Sequence, residues 1–371
     1  DLIQEDLSGI NAIKIYGQEA TERQAFAERN RRYRDDALQL ARTRSTLFPL
    51  LEGISSVSLL LLLALGSGQL ATGRLSIGDL VALILYVERL VFPTALLGFT
   101  LNTFQTGQVS LERVEELLRR KPRVTSPAKP QPIAAPLRPG RRAAAVEARN
   151  LSVRYPDAER LALEHVSFRL EPGELVAVVG PVGCGKTTLA RALGRMVEVP
   201  SDALYLNGTD ITAVDLEDLR RQVALVPQEG YLFTASLADN LRYGEPSATL
   251  EVVEQAAVQA RLEGDIRGFP DGYGTLVGER GITLSGGQRQ RTALGRALLV
   301  QAPLLVLDDA LASVDNNTAA DILQSVRSQQ DRTILMISHQ LSAAAACDRI
   351  LVMDSGRLVQ EGHHNELVQQ S

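Results

Sequence analysis

The chain has 371 residues, with 39 Lys+Arg against 44 Asp+Glu, a net charge of −5 and 45% apolar residues. At roughly 100–200 residues per domain this length holds about two domains, and so apolar a chain is not disordered. Two cysteines exclude a disulfide scaffold and a Cys-rich zinc module, while the acidic balance and the absence of Trp argue against a nucleic-acid partner.

The sequence opens on Asp inside a helical pattern. No basic stretch followed by a short apolar one is visible, so we expect no signal peptide and a chain whose N-terminal part is missing. Residues 19–45 are densely charged, and Phe26, Tyr33, Ala37, Leu40 and Ala41 recur among the charges at helical spacing. This predicts an amphipathic helix with a solvated charged face. Residues 53–70 then run 18 positions without a charge, centred on Leu59-Leu60-Leu61-Leu62-Leu63. After the break Ala71-Thr72-Gly73-Arg74, residues 77–104 carry only Asp79, Glu88 and Arg89. Two such runs around a short turn fit a membrane hairpin better than a pair of core helices. Eight Lys/Arg lie in residues 1–44, while the turn holds only Arg74. The N-terminal side is therefore expected in the cytoplasm and the turn outside. Glu88 and Arg89 fall well inside the second span, where a charge must face protein or a water-filled cavity. A substrate contact and an ion pair within the bundle both satisfy that demand.

Residues 119–146 hold six prolines and eight Lys/Arg without an acid. Proline at this density keeps the chain extended. The run reads as a linker, either a solvated tether or a strip lying on anionic headgroups. Beyond it, short apolar runs alternate with amphipathic stretches. Leu175-Val176-Ala177-Val178-Val179, Leu304-Leu305-Val306-Leu307 and Ile334-Leu335-Met336-Ile337 read as buried parallel strands of an α/β domain.

Gly180-Pro181-Val182-Gly183-Cys184-Gly185-Lys186-Thr187 follows the first of these strands and opens a helix over residues 188–193. This is the strand–G-x-x-x-x-G-K-[ST]–helix context of a phosphate-binding loop. The glycines let backbone N–H groups turn inward around phosphate oxygens, and the helix start adds positive potential. Lys186 reaches the β- and γ-phosphates, and Thr187 ligates Mg²⁺. About 120 residues downstream, an apolar strand ends in Asp308, the carboxylate that completes a Mg²⁺ shell in such enzymes. Between them Leu284-Ser285-Gly286-Gly287-Gln288-Arg289-Gln290-Arg291 leads into a helical run over residues 288–300, a second anion-binding helix start. One nucleotide does not need two such loops from one chain. The second loop is therefore expected to serve a nucleotide bound by another copy or partner.

Residues 284–288 spell the ABC signature, and with it the chain resembles the C-terminal portion of an exporter-type ABC half-transporter. The resemblance implies an α-helical membrane-domain fragment plus an α/β P-loop NTPase (ABC ATPase) domain. The divisions are residues 1–118 (coupling loop and last two membrane helices), 119–145 (linker) and 146–371 (nucleotide-binding domain). Residues 8–19 resemble the loop whose short coupling helix docks on the opposite ATPase domain, and four preceding membrane helices would be absent. ATP and Mg²⁺ are the implied cofactors. Tyr155 corresponds to the aromatic that stacks on adenine. Gly180, Gly183, Gly185, Lys186, Thr187 and Thr188 would hold phosphate, and Ser285, Gly286, Gly287 and Gln288 the partner's nucleotide. Thr187, Gln228 and Asp308 would surround the metal. Gln228 matches the Q-loop glutamine, residues 278–281 the X-loop, residues 313–315 the D-loop and His339 the switch histidine. Lys186, Gln228, Asp309 and His339 are the implied catalytic group.

One position departs from the family. A glutamate normally follows the Mg²⁺ aspartate as general base, and this chain has Asp309 there. The carboxylate is one methylene shorter, which retracts it from a water it must approach to about 2.6–3.2 Å. Hydrolysis should slow while ATP binding survives. An intact signature beside a weakened base favours a heterodimer with a second ABC half-transporter over a homodimer. The expected setting is a plasma or inner membrane, multi-pass, with a cytoplasmic ATPase domain, an unidentified transported substrate and no nucleic acid. Of the rival readings, a soluble ABC ATPase of DNA repair or translation conflicts with the two spans. An ATP-gated channel or regulatory subunit differs only in whether substrate moves against a gradient.

Overall fold

The computed structural model describes residues 2–135, 142–156, 158–278, 281, 283–328 and 331–370. Parts of the linker (residues 136–141) and two X-loop residues, Glu279 and Arg280, lie outside these. The chain divides into two compact units, Asp1–Lys121 and Pro122–Ser371.

The first unit is helical. Two short helices, α1 (Leu2–Ser8) and α2 (Ile10–Ile15), precede α3 (Glu19–Ala71) and α4 (Ile77–Arg119). The charged stretch and the first apolar run form one continuous helix of 53 residues that passes through Pro49. Its segment Pro49–Ala71 and the helix Ile77–Arg119 are each long and apolar enough to cross a bilayer. Between them Ser76 caps α4: its hydroxyl accepts from the Asp79 N–H, and the Asp79 carboxylate accepts from the Ser76 N–H. The two long helices approach closely where Gly66 of α3 meets Leu80 of α4, since a Cβ on Gly66 would lie 2.5 Å from the leucine Cδ1. Leu80, Ile84 and Val87 are half-buried on one face of α4. Arg89 projects from the opposite side and Glu88 flanks that face, both exposed.

The second unit has three layers. One layer is an antiparallel sheet of β1 (Val146–Val153), β2 (Leu163–Leu170), β4 (Leu204–Leu206) and β5 (Thr209–Asp210), in the order β2-β1-β4-β5. The middle layer holds β3 (Leu175–Val179), β6 (Val223–Val226), β7 (Leu304–Asp308), β8 (Thr333–Ile337), β9 (Arg349–Asp354) and β10 (Arg357–Gly362), in the order β10-β9-β3-β8-β7-β6. All its pairs are parallel except β9–β10. Helix α5 (Lys186–Leu193) packs with the antiparallel sheet, and α6 (Leu216–Gln222) leads into β6. The remaining helices are α7 (Leu237–Leu241), α8 (Leu250–Gln259), α9 (Glu263–Arg267), α10 (Gly286–Leu299), α11 (Asn316–Ser328), α12 (Leu341–Ala345) and α13 (His364–Gln370).

The three apolar runs expected to be buried parallel strands are β3, β8 and β7, side by side. Their period of two splits them between two cores. Val176, Val178, Val306 and Leu335 face the antiparallel sheet and α5. Ala177, Leu305, Leu307 and Met336 face the helical layer of α7, α8, α10 and α11. Burial on both faces explains why these strands read as unbroken apolar runs.

The described linker residues are not a free tether. Gln131 N–H donates to the Ala213 carbonyl at 2.8 Å, and Ala134 N–H to Thr209 Oγ1 at 3.1 Å. The buried Arg195 guanidinium donates to the Thr125 carbonyl at 3.2 Å, while Ile133 packs on the core between the sheets. Proline keeps residues 122–135 extended, and the second unit supplies the hydrogen-bond partners that an extended chain leaves open.

Candidate nucleotide site

Because β3, β6, β7 and β8 are parallel and in register, their C-terminal ends fall along one edge of the sheet. Four chemistry-bearing segments of this unit leave from that edge, where ligands bind in open α/β sheets, while Tyr155 comes from the loop after β1 of the antiparallel sheet. Residues 180–185 follow β3, Gln228 follows β6, Asp308 ends β7 and His339 follows β8. A cleft of about 380 Å³ opens there, lined by Tyr155, Gly183, Gly185, Lys186, Thr187, Thr188, Gln228, Asp308, Asp309 and His339 among others. These residues span more than 180 positions of sequence, and the topology alone collects them.

The loop after β3 is shaped by close backbone approach. Gly185 is the N-cap of α5 with φ +101°, and a Cβ on it would sit 2.4 Å from the Ala162 carbonyl oxygen. Gly185 has no side chain to cap α5, and the first residues of the helix line the cleft, so the N–H groups of that turn are available to a ligand there. Lys186 is buried, and its ammonium donates to the carbonyls of Gly180 and Pro181, each at 2.8 Å, and to Cys184 Sγ at 3.7 Å. All three of its N–H donors are thus occupied by the loop. Gly180 does not line the cleft; it holds the lysine from behind.

Thr187 Oγ1 donates to Asp308 Oδ1 at 3.2 Å. Asp308 is 4% exposed, and burial raises its carboxyl above the usual range; Thr187 partly offsets this, and the adjacent Asp309 adds to it. A buried carboxylate beside a hydroxyl is a hard-oxygen donor set that a divalent cation would relieve. Asp309 itself has φ +51°, a left-handed conformation that aspartate tolerates better than most residues, and its N–H donates to the Ile337 carbonyl at 3.0 Å. Tyr155 is half-buried at the cleft wall, its hydroxyl 3.4 Å from Thr188 Oγ1. Gln228 and His339 are exposed.

Ser285, Gly286, Gly287 and Gln288 do not line this cleft. They form the first turn of α10, fixed by a capping box in which Ser285 Oγ accepts from Gln288 N–H and Gln288 Oε1 from Ser285 N–H. Gln288 Nε2 also donates to Asp265 Oδ1 at 2.9 Å. One residue had no signal of its own in the sequence: Gln290, on α10, reaches the backbone of both Gln228 and Asp309.

Family models identify both units. Residues 163–312 match the model described as ABC transporter, and residues 1–94 match the ABC transporter transmembrane region. The chain belongs to the ABC transporter family. It is 34% identical over 372 residues to the multidrug resistance-like ATP-binding protein MdlA of Escherichia coli (strain K12), covering 100% of this chain and 62% of that protein. It is 36% identical over 368 residues to the ATP-dependent lipid A-core flippase of Aromatoleum aromaticum, covering 98% and 59%. A solved bacterial Atm1-family ABC exporter with ATP bound superposes with a TM-score of 0.88 at 32% identity, covering 100% of this chain and 64% of that one. The chain thus spans about three-fifths of the length of the curated relatives it matches. The family assignment makes the helical unit an ABC transmembrane region and the layered unit an ABC ATPase domain, the fold class read from the sequence.

Proposed function

We propose that this chain is the ATP-binding and ATP-hydrolysing subunit of a membrane exporter, acting with a second ABC subunit. One observation carries this reading. The cleft holds a phosphate loop, a buried carboxylate and a histidine, while the signature turn, residues 285–288, stands outside it on α10. A single chain therefore offers two halves of different sites. Two chains facing each other would make two whole ones, each nucleotide lying between one phosphate loop and the partner's signature turn. MdlA is named a multidrug resistance-like ATP-binding protein and the Aromatoleum relative an ATP-dependent lipid A-core flippase, and the paired apolar helices suit movement of a substrate across a membrane here.

In this reading Tyr155 stacks on adenine. The ammonium of Lys186 leaves the Gly180 and Pro181 carbonyls for the β- and γ-phosphate oxygens, and the open N–H groups of α5 hold the phosphates. Thr187, Gln228 and Asp308 would hold Mg²⁺, which when bound spreads the phosphate charge. Asp309 orients the attacking water and accepts its proton, and His339 lies near the γ-phosphate. The turn between α3 and α4 faces outward and the ATPase unit lies in the cytoplasm of a plasma or inner membrane. The weakened base at Asp309 favours a partner that carries glutamate there. The test is Lys186→Ala in the purified, reconstituted transporter. We expect ATP-driven turnover to disappear, and unchanged turnover would overturn the assignment.

A further inference from the structure

Gln290 is 8% exposed and sits on α10 two residues beyond the last signature residue, Gln288. Its side chain meets the main chain at three points on two segments: Gln228 after β6, and Asp309 and Ser313 in the stretch that follows β7. The Ser313 N–H donates to Gln290 Oε1 at 2.8 Å, and Gln290 Nε2 faces the carbonyls of Gln228 and Asp309, each at 3.5 Å. The partners settle the orientation of the amide: one backbone donor meets its oxygen and two backbone acceptors meet its nitrogen. Above it, Gly287 packs so tightly on the same turn that a Cβ there would lie 2.8 Å from the Ser313 carbonyl oxygen. The signature turn thus packs on the stretch that carries Ser313, and Gln290 ties that turn to Asp309 at the head of the same stretch and to Gln228 after β6, both of which line the cleft.

We infer that Gln290 is a positioning residue: it sets the Asp309 carboxylate and the Gln228 loop, which act on this chain's own nucleotide, in register with the signature turn that serves the partner's nucleotide. The inference rests on the ATPase reading above and adds to it. Asp309 is held at φ +51° between β7 and the turn that carries Ser313. A small rotation of its backbone swings the short carboxylate away from the water it must reach. The long contacts to Gln228 and Asp309 are neutral hydrogen bonds at the limit of useful distance, whereas the contact to Ser313 is short. Ser313 is itself exposed, so water can replace Gln290 there when the side chain is altered. Loss of Gln290 therefore costs little fold stability and acts on the placement of the carboxylate.

The test uses the full-length protein, reconstituted with its natural partner, and two variants. Gln290→Met keeps the length and removes every hydrogen bond. Gln290→Glu keeps the acceptor for Ser313 and sets a carboxylate against two carbonyls until it takes up a proton, which restores a donor. Fluorescent ATP-analogue affinity and ATP turnover are read for each. For Gln290→Met we expect affinity within about threefold of wild type and turnover lowered by ten- to a hundredfold, the order lost by about 1 Å of misplacement. For Gln290→Glu, turnover relative to wild type at the same pH should rise as the pH is lowered from 8 to 6. Turnover of Gln290→Met within threefold of wild type, or a loss explained by affinity, overturns the inference. If that variant does not fold, a flat relative pH profile for Gln290→Glu overturns it instead. A wild-type complex that hydrolyses no ATP sinks the ATPase reading and the inference together, whereas a turning-over wild type with indifferent variants sinks only the role of Gln290.

Discussion

Replacing Gly185 by alanine separates two costs that the phosphate loop imposes. The first is conformational. At φ +101° an L-residue with a Cβ is strained by at least the ~1–2 kcal/mol of the left-handed region. The second is steric. The new Cβ would lie 2.4 Å from the Ala162 carbonyl oxygen, where ordinary contact begins at 3.4 Å, so the loop must retreat by about 1 Å. That retreat pulls on the bond from Gly356 N–H to the Cys184 carbonyl, now 3.1 Å. Overpacking of about 1–3 kcal/mol and a strained hydrogen bond of about 1 kcal/mol bring the total to about 3–6 kcal/mol. Gly183 is the control. It has φ +82° but open space where a Cβ would go, so Gly183→Ala carries only the strain, about 1–2 kcal/mol.

The chain supplies its own reporter. Its two cysteines, Cys184 and Cys347, are buried and both lie in the second unit. Burial pushes the Cys347 thiol up to about 12, so it stays unreactive until that unit unfolds. In a Cys184→Ser background, a thiol-reactive dye followed during heating reads Cys347 alone. At about 2–4 °C per kcal/mol, Gly185→Ala should lower the melting temperature by on the order of 10 °C and Gly183→Ala by about 4 °C. Equal shifts, or a larger one for Gly183→Ala, would show that the approach to Ala162 does not hold the loop.

Tyr155→Leu should weaken ATP binding by about 1–3 kcal/mol while Tyr155→Phe leaves it unchanged, because the ring face does the stacking; equal affinities by titration would remove Tyr155 from the site. The Asp308 carboxyl is raised by burial, so its contribution to stability is present below the ordinary carboxylate range and lost as pH rises through the raised value. Asp308→Asn should therefore stabilise the nucleotide-free protein at pH 7 by about 0.5–2 kcal/mol, a gain that vanishes on acidification, while ATP-dependent stabilisation is lost; thermal melts across pH check the sign. Asp309→Asn in the assembled complex should spare most ATP turnover if the partner carries an active glutamate, and should cost about 10²–10⁴-fold if two copies of this chain form the complex; the turnover of each purified assembly distinguishes them.

The strands with an unambiguous physical signature were legible in the sequence. β3, β7 and β8 are apolar on both faces because both faces are buried, and no other element of that length has cause to be. The antiparallel sheet was not read. β1 and β2 carry bulges between Ala148 and Leu151 and again before Val153, which shift the alternation that marks a half-buried strand. In the linker, the proline count announced an extended chain, but nothing in its composition reveals that Arg195 and Thr209 hold it. Those partners lie 70 and 75 residues away, and only the fold brings them near.

The candidate site divides along the same line. Residues whose chemistry depends on a local backbone shape, such as Gly185 and Lys186, announce themselves through spacing, because the shape needs glycine at fixed offsets. Residues whose chemistry depends on meeting another segment do not. Asp308 and Thr187 are 121 positions apart and form one donor set only because β3 and β7 both pair with β8. Gln290 lies just after a recognisable motif, yet its role is invisible there. Its partners are two carbonyls and an N–H of the main chain, which any residue could have supplied. Its position is set by the helix that presents the signature turn, so in the proposed reading the groups that act on one nucleotide and the turn that reaches the other share a single support.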